Sequence, residues 1–254
     1  MEEQGSKRAR DYNNKGSGTM NFSLGEHWGR KYNDLRNYQT YIKFVLRENI
    51  KFNNFKKHWE ILHDPDMYVS NLFIPMKNEV IFDIGSQYGD YALLWEKRYG
   101  AVVYAFELLE NNYAEMLSDL KLNKSKIKHF NIAVGDGKNL SYTVRGDMAI
   151  NEYSWNFTET VRLDDLVFGK FNVKPNILKI DVEGFELEVL KGAKRVLSEK
   201  SIRLIIETHS SALRKQVDEF LSELNYYPKF VGRTVKGEGW KDEITNVFYL
   251  KKVD

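Results

Sequence analysis

The stretch Val80-Ile-Phe-Asp83-Ile-Gly85-Ser-Gln-Tyr-Gly89-Asp90 decides the fold class of this chain. Its first five residues are a short apolar run, which predicts a buried β-strand. Gly85 and Gly89 follow, and glycine permits the tight turn and the close backbone approach that a bound ligand needs. A helix is predicted from Asp90 to Arg98. The stretch therefore combines a strand, a glycine-rich turn and a helix N-terminus, where unpaired N–H groups collect.

The carboxylate of Asp83 distinguishes this turn from a dinucleotide-binding turn. The dinucleotide fingerprint G-x-G-x-x-G has glycine where this sequence has Asp83. A carboxylate there repels a pyrophosphate, but it can organise a loop around a cationic or zwitterionic ligand. S-adenosylmethionine is such a ligand, because it carries a sulfonium, an ammonium and a carboxylate. The spacing D-x-G-x-x-x-G therefore favours this methyl donor over NAD, although an ordinary turn between a strand and a helix also needs glycines.

Outward from this stretch, short apolar runs alternate with amphipathic segments. The further predicted strands are Ala101–Phe106, Ile127–Asn131, Ile177–Ile180 and Ile202–Ile206, and helices are predicted at Asn111–Leu122, Glu186–Leu197 and Ser211–Leu224. This alternation predicts βαβ units and a mainly parallel sheet. Two more predicted strands, Tyr226–Val231 and Thr245–Leu250, have no helix pattern between them, which predicts an antiparallel pair at a sheet edge.

These elements together predict an α/β protein with the Rossmann-like fold of class I methyltransferases. We expect a seven-stranded, mainly parallel sheet with an antiparallel C-terminal strand, helices on both faces and extra N-terminal helices. Glu107 ends the second strand, 24 residues after Asp83, where an acidic side chain accepts hydrogen bonds from ribose hydroxyls. Asn131 and Ala133 follow the third strand, where this type of sheet meets an adenine ring, although a plain turn at Gly135 explains the same residues.

Acidic residues collect after the fourth strand, in Asp181-Val-Glu183-Gly184-Phe-Glu186. Glu186 has a structural explanation, because negative charge in the first turn of a helix suits the helix dipole. Asp181 and Glu183 can bind the amino group of the donor, act as the base for a substrate hydroxyl, or hold a divalent cation. The fifth strand ends in Glu207-Thr-His209, and His209 is a candidate general base near neutral pH.

Four segments of this sequence resemble the FkbM-type S-adenosylmethionine-dependent methyltransferases, over about residues 81–209. They are Phe82–Gly89, Ala105-Phe-Glu107, Val161–Leu166 and, most specifically, Leu178-Lys-Ile-Asp-Val-Glu-Gly-Phe-Glu-Leu-Glu-Val-Leu-Lys-Gly-Ala193. The resemblance implies O-methylation of sugars or other natural-product hydroxyls. It also implies that Asp83, Gly85 and Gly89 line the donor, Glu107 its ribose, and Asp181 and Glu183 the reaction centre. We expect Ser86, in the same turn, to line the donor as well. Leu108 departs from the family, which often has Pro there, and Ser86 stands where Ala is frequent.

The segment Ser141–Thr160 is long for a connection and contains one or two strand-like pieces. Its polar and aromatic side chains suit a sugar, and we expect a substrate-binding flap across the cavity, with Asn151 and Trp155, together with Glu207, on the acceptor. A purely structural hairpin is the alternative. The region His27–His58 carries eight Lys and Arg against two acidic residues, which fits either a phosphate-binding surface or, more simply, a solvated basic face of a helical cap.

The amino-acid composition excludes several kinds of site and of protein. The 254 residues include no Cys, which excludes disulfides, thiolate nucleophiles and Cys-ligated zinc. The net charge of +2 does not indicate nucleic-acid or membrane binding, and no apolar run reaches the roughly 20 residues of a membrane-spanning helix. With no apolar stretch at the N-terminus, we expect a cytoplasmic protein. We divide the chain into a flexible tail at 1–25, a helical cap at 26–76 and the donor-binding methyltransferase domain at 77–254.

The sequence thus predicts an S-adenosylmethionine-dependent methyltransferase that methylates a hydroxyl of a sugar or other small-molecule or glycan acceptor. Asp181, Glu183 and His209 are the predicted catalytic residues, and Asp181 and Glu183 are the candidate ligands for a divalent cation. Two alternatives remain. One is an RNA methyltransferase that uses the basic N-terminal region, and the other is a binding protein that keeps the donor fold without turnover.

Overall fold

The computed structural model describes residues 50–52, 73–151, 154–236 and 243–252. Its strands are β1 (Val80–Ile84), β2 (Val102–Glu107), β3 (Lys128–Asn131), β4 (Ala133–Gly135), β5 (Asn139–Arg145), β6 (Met148–Ile150), β7 (Asn156–Arg162), β8 (Ile177–Ile180), β9 (Arg203–Thr208), β10 (Tyr226–Lys236) and β11 (Glu243–Lys251). Its α-helices are α1 (Asp90–Leu94), α2 (Glu110–Leu122), α3 (Leu163–Asp165), α4 (Glu186–Gly192), α5 (Lys194–Glu199) and α6 (Ser211–Glu223). Helices α1 and α3 continue into π-helical segments, Trp95–Tyr99 and Leu166–Phe171.

Within these described ranges, seven strands form one sheet in the order β10-β11-β9-β8-β1-β2-β3. The five strands from β9 to β3 pair in parallel, as the βαβ alternation predicts. Strand β11 is antiparallel to both β9 and β10, so it is the antiparallel C-terminal strand. The predicted class I methyltransferase architecture is therefore confirmed.

Helices cover both faces of this sheet. Because the side chains of a strand alternate between its two faces, one strand contributes to the core on either side. On β1, Ile81 belongs to one core cluster, which also contains side chains of α1 and α2. Phe82 and Ile84 belong to a second cluster with side chains of α4, α5 and α6. All three are at most 1% exposed, so the strand carrying the glycine-rich turn is fixed from both sides.

The N-terminal region contributes to the first of these clusters. Ile50 is 6% exposed and Phe73 is 1% exposed, and both pack with Trp95 of the main domain. The predicted tail, the rest of the predicted helices in Trp28–His63 and most of the basic region lie outside the described residues. Among the helices that the structure describes, none combines the length and the hydropathy of a membrane-crossing segment.

A second sheet stands apart from the main one, in the order β4-β7-β5-β6. The chain leaves the main sheet after Asn131, and β4 pairs in parallel with β7. The sequence predicts one or two strand-like pieces in Ser141–Thr160, and the structure has three, because β5 pairs antiparallel with both β6 and β7. The turn from β5 to β6 is tight, with Gly146 at a φ of +63°.

The predicted helix Glu186–Leu197 is divided into α4 and α5 at Ala193, whose φ of −106° and ψ of 5° interrupt the helix. A distant carboxylate stabilises the restart. Asp164 accepts hydrogen bonds from the backbone N–H groups of Arg195 and Val196, both at 2.9 Å. These are first-turn amides of α5, which have no partner within the helix. The sequence pattern is helical on both sides of the break and does not reveal it.

Candidate functional site

A cavity of about 340 Å³ lies at the carboxyl ends of β1, β2, β8 and β9. This is the edge at which open α/β sheets bind their ligands. The lining residues that the sequence analysis names are Gly85, Ser86, Glu107, Ala133, Asp181, Glu183 and Glu207. Four residues of the β5–β6 hairpin, Leu140, Asp147, Met148 and Ala149, line the same cavity. The strand ends and the predicted flap thus meet around one space.

The glycine-rich turn after β1 is held by close contacts that exclude larger side chains. Gly85 has a φ of +77°, and a Cβ atom on it would lie 1.8 Å from the backbone oxygen of Asp181. Gly89 has a φ of +79°, and its Cβ would lie 2.7 Å from Met116. The Ser86 hydroxyl donates to the backbone oxygen of Asp83 at 2.8 Å and accepts from the N–H of Phe106 at 3.1 Å.

Asp83 acts on this turn through a lysine. Its side chain is 1% exposed and lies 3.2 Å from Nζ of Lys179, which is 4% exposed. The same Nζ donates to the backbone oxygen of Gly85 at 2.6 Å and lies 3.5 Å from Asp181. Burial alone would lower the pKa of Lys179, but Asp83 and Asp181 raise it above its usual value, so Lys179 is a permanent cation.

The sequence analysis did not include Lys179 among the site residues. One signal was available, since Lys179 is the charged residue within the apolar run Ile177-Leu-Lys-Ile180. A lysine that is almost fully buried needs a charged partner, and a partner carboxylate must then lie nearby. In this fold the partner is the Asp83 of the neighbouring strand, to which Lys179 is directly opposed in register.

Glu107 is oriented by backbone groups on both of its oxygens. Oε1 accepts from the N–H of Leu109 and Oε2 from the N–H of Gln87, each at 2.8 Å. The side chain is at the cavity wall with little exposure, and burial raises its pKa to about 7. Because each carboxylate oxygen has two lone pairs, both oxygens can still accept a hydrogen bond from a ligand.

Asn131 lies beside Glu107 but uses its amide on the backbone. Its Nδ2 donates to the backbone oxygens of Glu107 and Leu108, at 2.8 and 3.0 Å. Asn131 therefore fixes the turn after β2, and the residues that reach the cavity from this side are Ile132, Ala133 and Val134. Asn131, predicted from its place after the third strand to lie where the sheet meets an adenine ring, thus binds the chain itself with its side-chain amide.

His209 stands at the centre of four carboxylates. Its Nδ1 lies 3.0 Å from Glu186, and its Nε2 lies 3.2 Å from Glu183, 3.6 Å from Asp181 and 3.8 Å from Glu207. Burial lowers the pKa of His209, but these carboxylates, Glu186 first, raise it well above 6.5. The imidazole is thus protonated at neutral pH and cannot accept a proton in that form.

Glu183 lines the cavity, and its pKa is raised as well. Burial raises its pKa to about 8, the positive His209 favours the ionised form, and Asp181 and Glu207 oppose it. A group that titrates close to neutral pH suits proton transfer. Glu186 is fully buried and accepts from the N–H groups of Val182 and Gly184, so it anchors both the turn and His209.

Three of these residues also meet the requirements of a cation site. One ligand atom each from Asp181, Glu207 and His209 lies within 4.8 Å of the others. This set shares Asp181 with the predicted cation ligands Asp181 and Glu183, and it adds Glu207 and His209. A metal would require neutral His209, with Nε2 as the ligand and Nδ1–H held by Glu186, which is the usual support of a metal-binding histidine.

The two predicted acceptor residues of the flap lie in different surroundings. Asn151 contacts the turn of the acidic cluster, because its Nδ2 donates to the backbone oxygen of Gly184 at 2.9 Å. Trp155 is 88% exposed at the surface. The flap residue that binds within the site is Asp147, which accepts from the Tyr88 hydroxyl at 2.7 Å and from Gln87 Nε2 at 3.0 Å. Sequence reasoning did not select Asp147, since a single acid in a turn carries no signal.

Comparison with known proteins finds similarity to methyltransferases. A hexuronic acid methyltransferase, AglP of Haloferax volcanii, is 27% identical over 154 residues, which are 58% of this chain and 63% of that protein. A crystal structure of a methyltransferase FkbM from Methylobacillus flagellatus matches with a TM-score of 0.51 and 17% identity, over 85% of this chain and 59% of that one. The chain thus spans less than two thirds of either relative.

A family model also matches this chain, over a range that contains the site. The model of the methyltransferase FkbM domain matches residues 83–228, from the buried aspartate of β1 to the start of β10. This range contains the glycine-rich turn, Glu107, Lys179 and the His209 cluster, and it is more than half of the chain. The chain therefore belongs to the FkbM methyltransferase family.

Proposed function

We propose that this protein is an S-adenosylmethionine-dependent methyltransferase that O-methylates a hydroxyl group on a sugar or other small-molecule or glycan acceptor. The observation that carries the proposal is the position of Glu107. Its buried carboxylate is aimed into the cavity beside the glycine-rich turn, with both oxygens fixed by backbone N–H groups. Such a carboxylate suits a pair of ribose hydroxyls. The FkbM domain supports the methyl-transfer chemistry.

The charge of the cavity supports a cationic donor. Asp181, Glu183 and Glu207 line it at one end and Glu107 at the other, while Lys179 is already paired with Asp83. A sulfonium and an ammonium group are attracted to such walls, whereas a pyrophosphate is repelled. The donor would lie along Gly85, Ser86, Glu107 and Ala133, with Asp181 at its amino group.

The donor supplies an electrophilic methyl group, and the protein has to position an acceptor hydroxyl and remove its proton. We assign the base role to Glu183, which reaches the cavity and has a pKa of about 8. As the acceptor oxygen bonds to the methyl carbon, the carbon–sulfur bond breaks and S-adenosylhomocysteine leaves. The hydroxyl proton passes to Glu183 in its ionised form, which a pKa of about 8 makes a minority at pH 7 and the main form above pH 8. His209 then serves as the buried cation that orients Glu183 and Asp181, and alignment contributes most of the rate.

The same charges favour a neutral acceptor. A carboxylate brought here would face Asp181, Glu207 and, once it is ionised, Glu183, which outnumber the cation His209 among them, and like charges at a few ångströms are costly in a partly buried site. A bound divalent cation at Asp181, Glu207 and His209 would change this balance and would lower the pKa of a hydroxyl. Methylation rates measured with EDTA and with added Mg²⁺ or Mn²⁺ distinguish a site that works without a cation from one that needs it.

Titration calorimetry with S-adenosylhomocysteine tests the donor site. We expect micromolar binding by the wild type, and a loss of at least tenfold in Glu107→Ala. The control is Glu110→Ala, since Glu110 is an exposed glutamate three residues further along the chain, and this variant should bind as the wild type does. Absence of binding in the wild type would overturn the proposal, and equal binding by both variants would overturn the role of Glu107.

A second measurement tests the acceptor class. Methyl glycosides of neutral hexoses and of hexuronic acids are incubated with S-adenosylmethionine, and the S-adenosylhomocysteine formed is quantified. We expect turnover of the neutral glycosides and little of the uronides. The reverse preference would contradict the charge argument and would agree with the name of the Haloferax volcanii relative. Turnover of transfer RNA alone would instead support a nucleic-acid substrate.

A further inference from the structure

We propose that Asn151 is a positioning residue that holds the backbone of Glu183 in place and so couples the β5–β6 hairpin to proton transfer. The inference rests on the proposed function, because Glu183 is the base assigned there. It differs from the role expected from the sequence, which is direct contact between Asn151 and the acceptor. The difference between the two roles is measurable.

Asn151 binds two consecutive carbonyl groups of the turn after β8. Its backbone N–H donates to the oxygen of Glu183 at 3.1 Å, and its Nδ2 donates to the oxygen of Gly184 at 2.9 Å. Two donors of one residue therefore fix two successive peptide groups. The turn also receives support from within, because Glu186 accepts from the N–H groups of Val182 and Gly184.

The backbone of this turn needs such support. Glu183 has a φ of +53° and Gly184 a φ of +106°. A side chain other than glycine, asparagine or aspartate rarely adopts a positive φ, and such residues persist only where the surroundings hold them. The strained residue is also the one that carries the proposed base. Its conformation decides where the carboxylate lies relative to the cavity and to Nε2 of His209, 3.2 Å away.

The contact between Asn151 and Gly184 is close enough to restrict which side chains can stand at the two positions. A Cβ atom on Gly184 would lie 3.0 Å from Cβ of Asn151, so glycine lets the hairpin reach the turn. An amide side chain suits the contact because it offers a donor to a carbonyl oxygen. Aspartate in its place would bring a carboxylate against that oxygen and would remove the bond.

The other end of the hairpin is attached to the donor side of the cavity. Asp147 accepts from Gln87 and from the Tyr88 hydroxyl, and its backbone oxygen accepts from Nδ2 of Asn112 at 2.7 Å. The hairpin therefore connects the glycine-rich turn, at Asp147, with the acidic turn, at Asn151. A donor that orders the first turn would also favour the hairpin position in which Asn151 holds Glu183.

The test compares Asn151→Ala, which removes the Nδ2 bond to the Gly184 oxygen and keeps the backbone N–H bond to the Glu183 oxygen, with Asn156→Ala in the full chain. Asn156 is a matched control, because its Nδ2 also donates to a backbone oxygen, that of Tyr142 at 3.2 Å, but on an exposed part of the second sheet. Three quantities are measured: the Kd for S-adenosylhomocysteine, the kcat and KM for the methyl hexoside with the highest wild-type rate, and the amide hydrogen exchange of peptides covering residues 181–186.

For Asn151→Ala we expect a Kd within twofold of wild type, a KM within threefold, a kcat lowered at least tenfold and faster exchange in 181–186. Asn156→Ala should match the wild type in all three. A raised KM with unchanged kcat would overturn the proposal and restore direct acceptor binding. Unchanged exchange would overturn it as well. If the wild type neither binds the donor product nor turns over, the proposed function fails, while hydrogen exchange still decides whether Asn151 holds the turn.

Discussion

Lys179 shows how one buried charge supports the site. Its ammonium group compensates Asp83 inside the sheet and reaches Asp181 at the cavity wall, and it also holds the oxygen of Gly85. One side chain thus connects the two turns that follow β1 and β8. Because these turns form the floor of the cavity, the pair matters for donor binding as well as for stability.

Replacing Lys179 with Met should lower the free energy of unfolding by about 3–5 kcal/mol, because it leaves Asp83 buried without a counter-charge. Urea denaturation measures the change. Lys191→Met is the control, since the Lys191 side chain is 45% exposed and pairs only at the surface with Glu188. The double variant Asp83→Asn with Lys179→Met should regain part of the loss. Equal stability of the two single lysine variants would contradict this account.

Glu107 makes donor binding depend on pH. Burial raises its pKa to about 7, and only the ionised carboxylate accepts from ribose hydroxyls on both oxygens. Affinity for S-adenosylhomocysteine should therefore be full above pH 8 and should fall below pH 7, approaching tenfold per pH unit. Calorimetry from pH 5.5 to 8.5 measures it. Glu107→Gln should bind weakly and lose this component, and a flat wild-type profile would show that Glu107 does not contact the donor.

Several site residues could be predicted from the sequence, because a position at the end of a strand limits the roles that a side chain can have. Gly85, Glu107, Asp181 and Glu183 all lie at or just after the ends of parallel strands, and the structure brings them to one cavity. Which side chains contact one another was harder to predict from the sequence. The ion pair of Asp83 and Lys179 and the approach of Glu186 to His209 depend on the spatial register of neighbouring strands, which a single sequence does not contain. The roles of these residues stay predictions.

At the scale of elements, the junction of α4 and α5 depends on one glycine. A Cβ atom on Gly192 would lie 1.8 Å from the backbone oxygen of Gly135 in β4. Helix α4 therefore packs directly on the backbone of the second sheet. This packing connects the helix that begins with Glu186 to the sheet that carries the flap.

Gly192→Ala should lower the free energy of unfolding by about 1–3 kcal/mol, because backbone on both sides must move to admit the methyl group. Thermal and urea unfolding measure the loss. Gly169→Ala is the control, since a Cβ atom there would meet nothing within 4 Å. If the two alanine variants have equal stability, the close packing of α4 on β4 is wrong.

Element positions were predictable where the apolar pattern was clear. The strand Val80–Ile84 and the helix Ser211–Leu224 agree with β1 and α6 to within one residue. The break at Ala193 was not predictable, because it results from packing against β4 and from the Asp164 carboxylate. The π-helical segment after α1 was not predictable either, since its residues keep a helical pattern and only their hydrogen-bond partners change.

At the scale of the whole molecule, the N-terminal region is joined to the main domain at residues 50–52. Lys51 exchanges backbone hydrogen bonds with the Asn123 side chain, at 2.8 and 2.6 Å, and Ile50 is buried with Phe73 and Trp95. The boundary that the sequence analysis places at 76 and 77 therefore runs through a shared core. A change from a helical pattern to short apolar runs near Val80 marked that boundary, but such a pattern does not report which side chains pack together.

Ile50→Ala should destabilise the whole chain by about 2–5 kcal/mol, as loss of a buried aliphatic side chain does elsewhere. Lys51→Ala is the control, because Lys51 is exposed and its contacts with Asn123 use backbone atoms. Differential scanning calorimetry should show one transition that shifts for Ile50→Ala and hardly moves for Lys51→Ala. A separate low-temperature transition affected alone would indicate an independent N-terminal domain.

The order of the main sheet has a consequence for synthesis on the ribosome. Strand β11 is made after β9 and β10, yet it lies between them and pairs with both. A nascent chain that has emerged only as far as Lys236 has an open edge on β9, at Leu204–Ile206, and no place for β10. Contacts between distant segments form slowly, and exposed edges invite aggregation. A premature stop codon between these two strands would therefore remove two strands from the sheet, although it deletes the coding sequence of one.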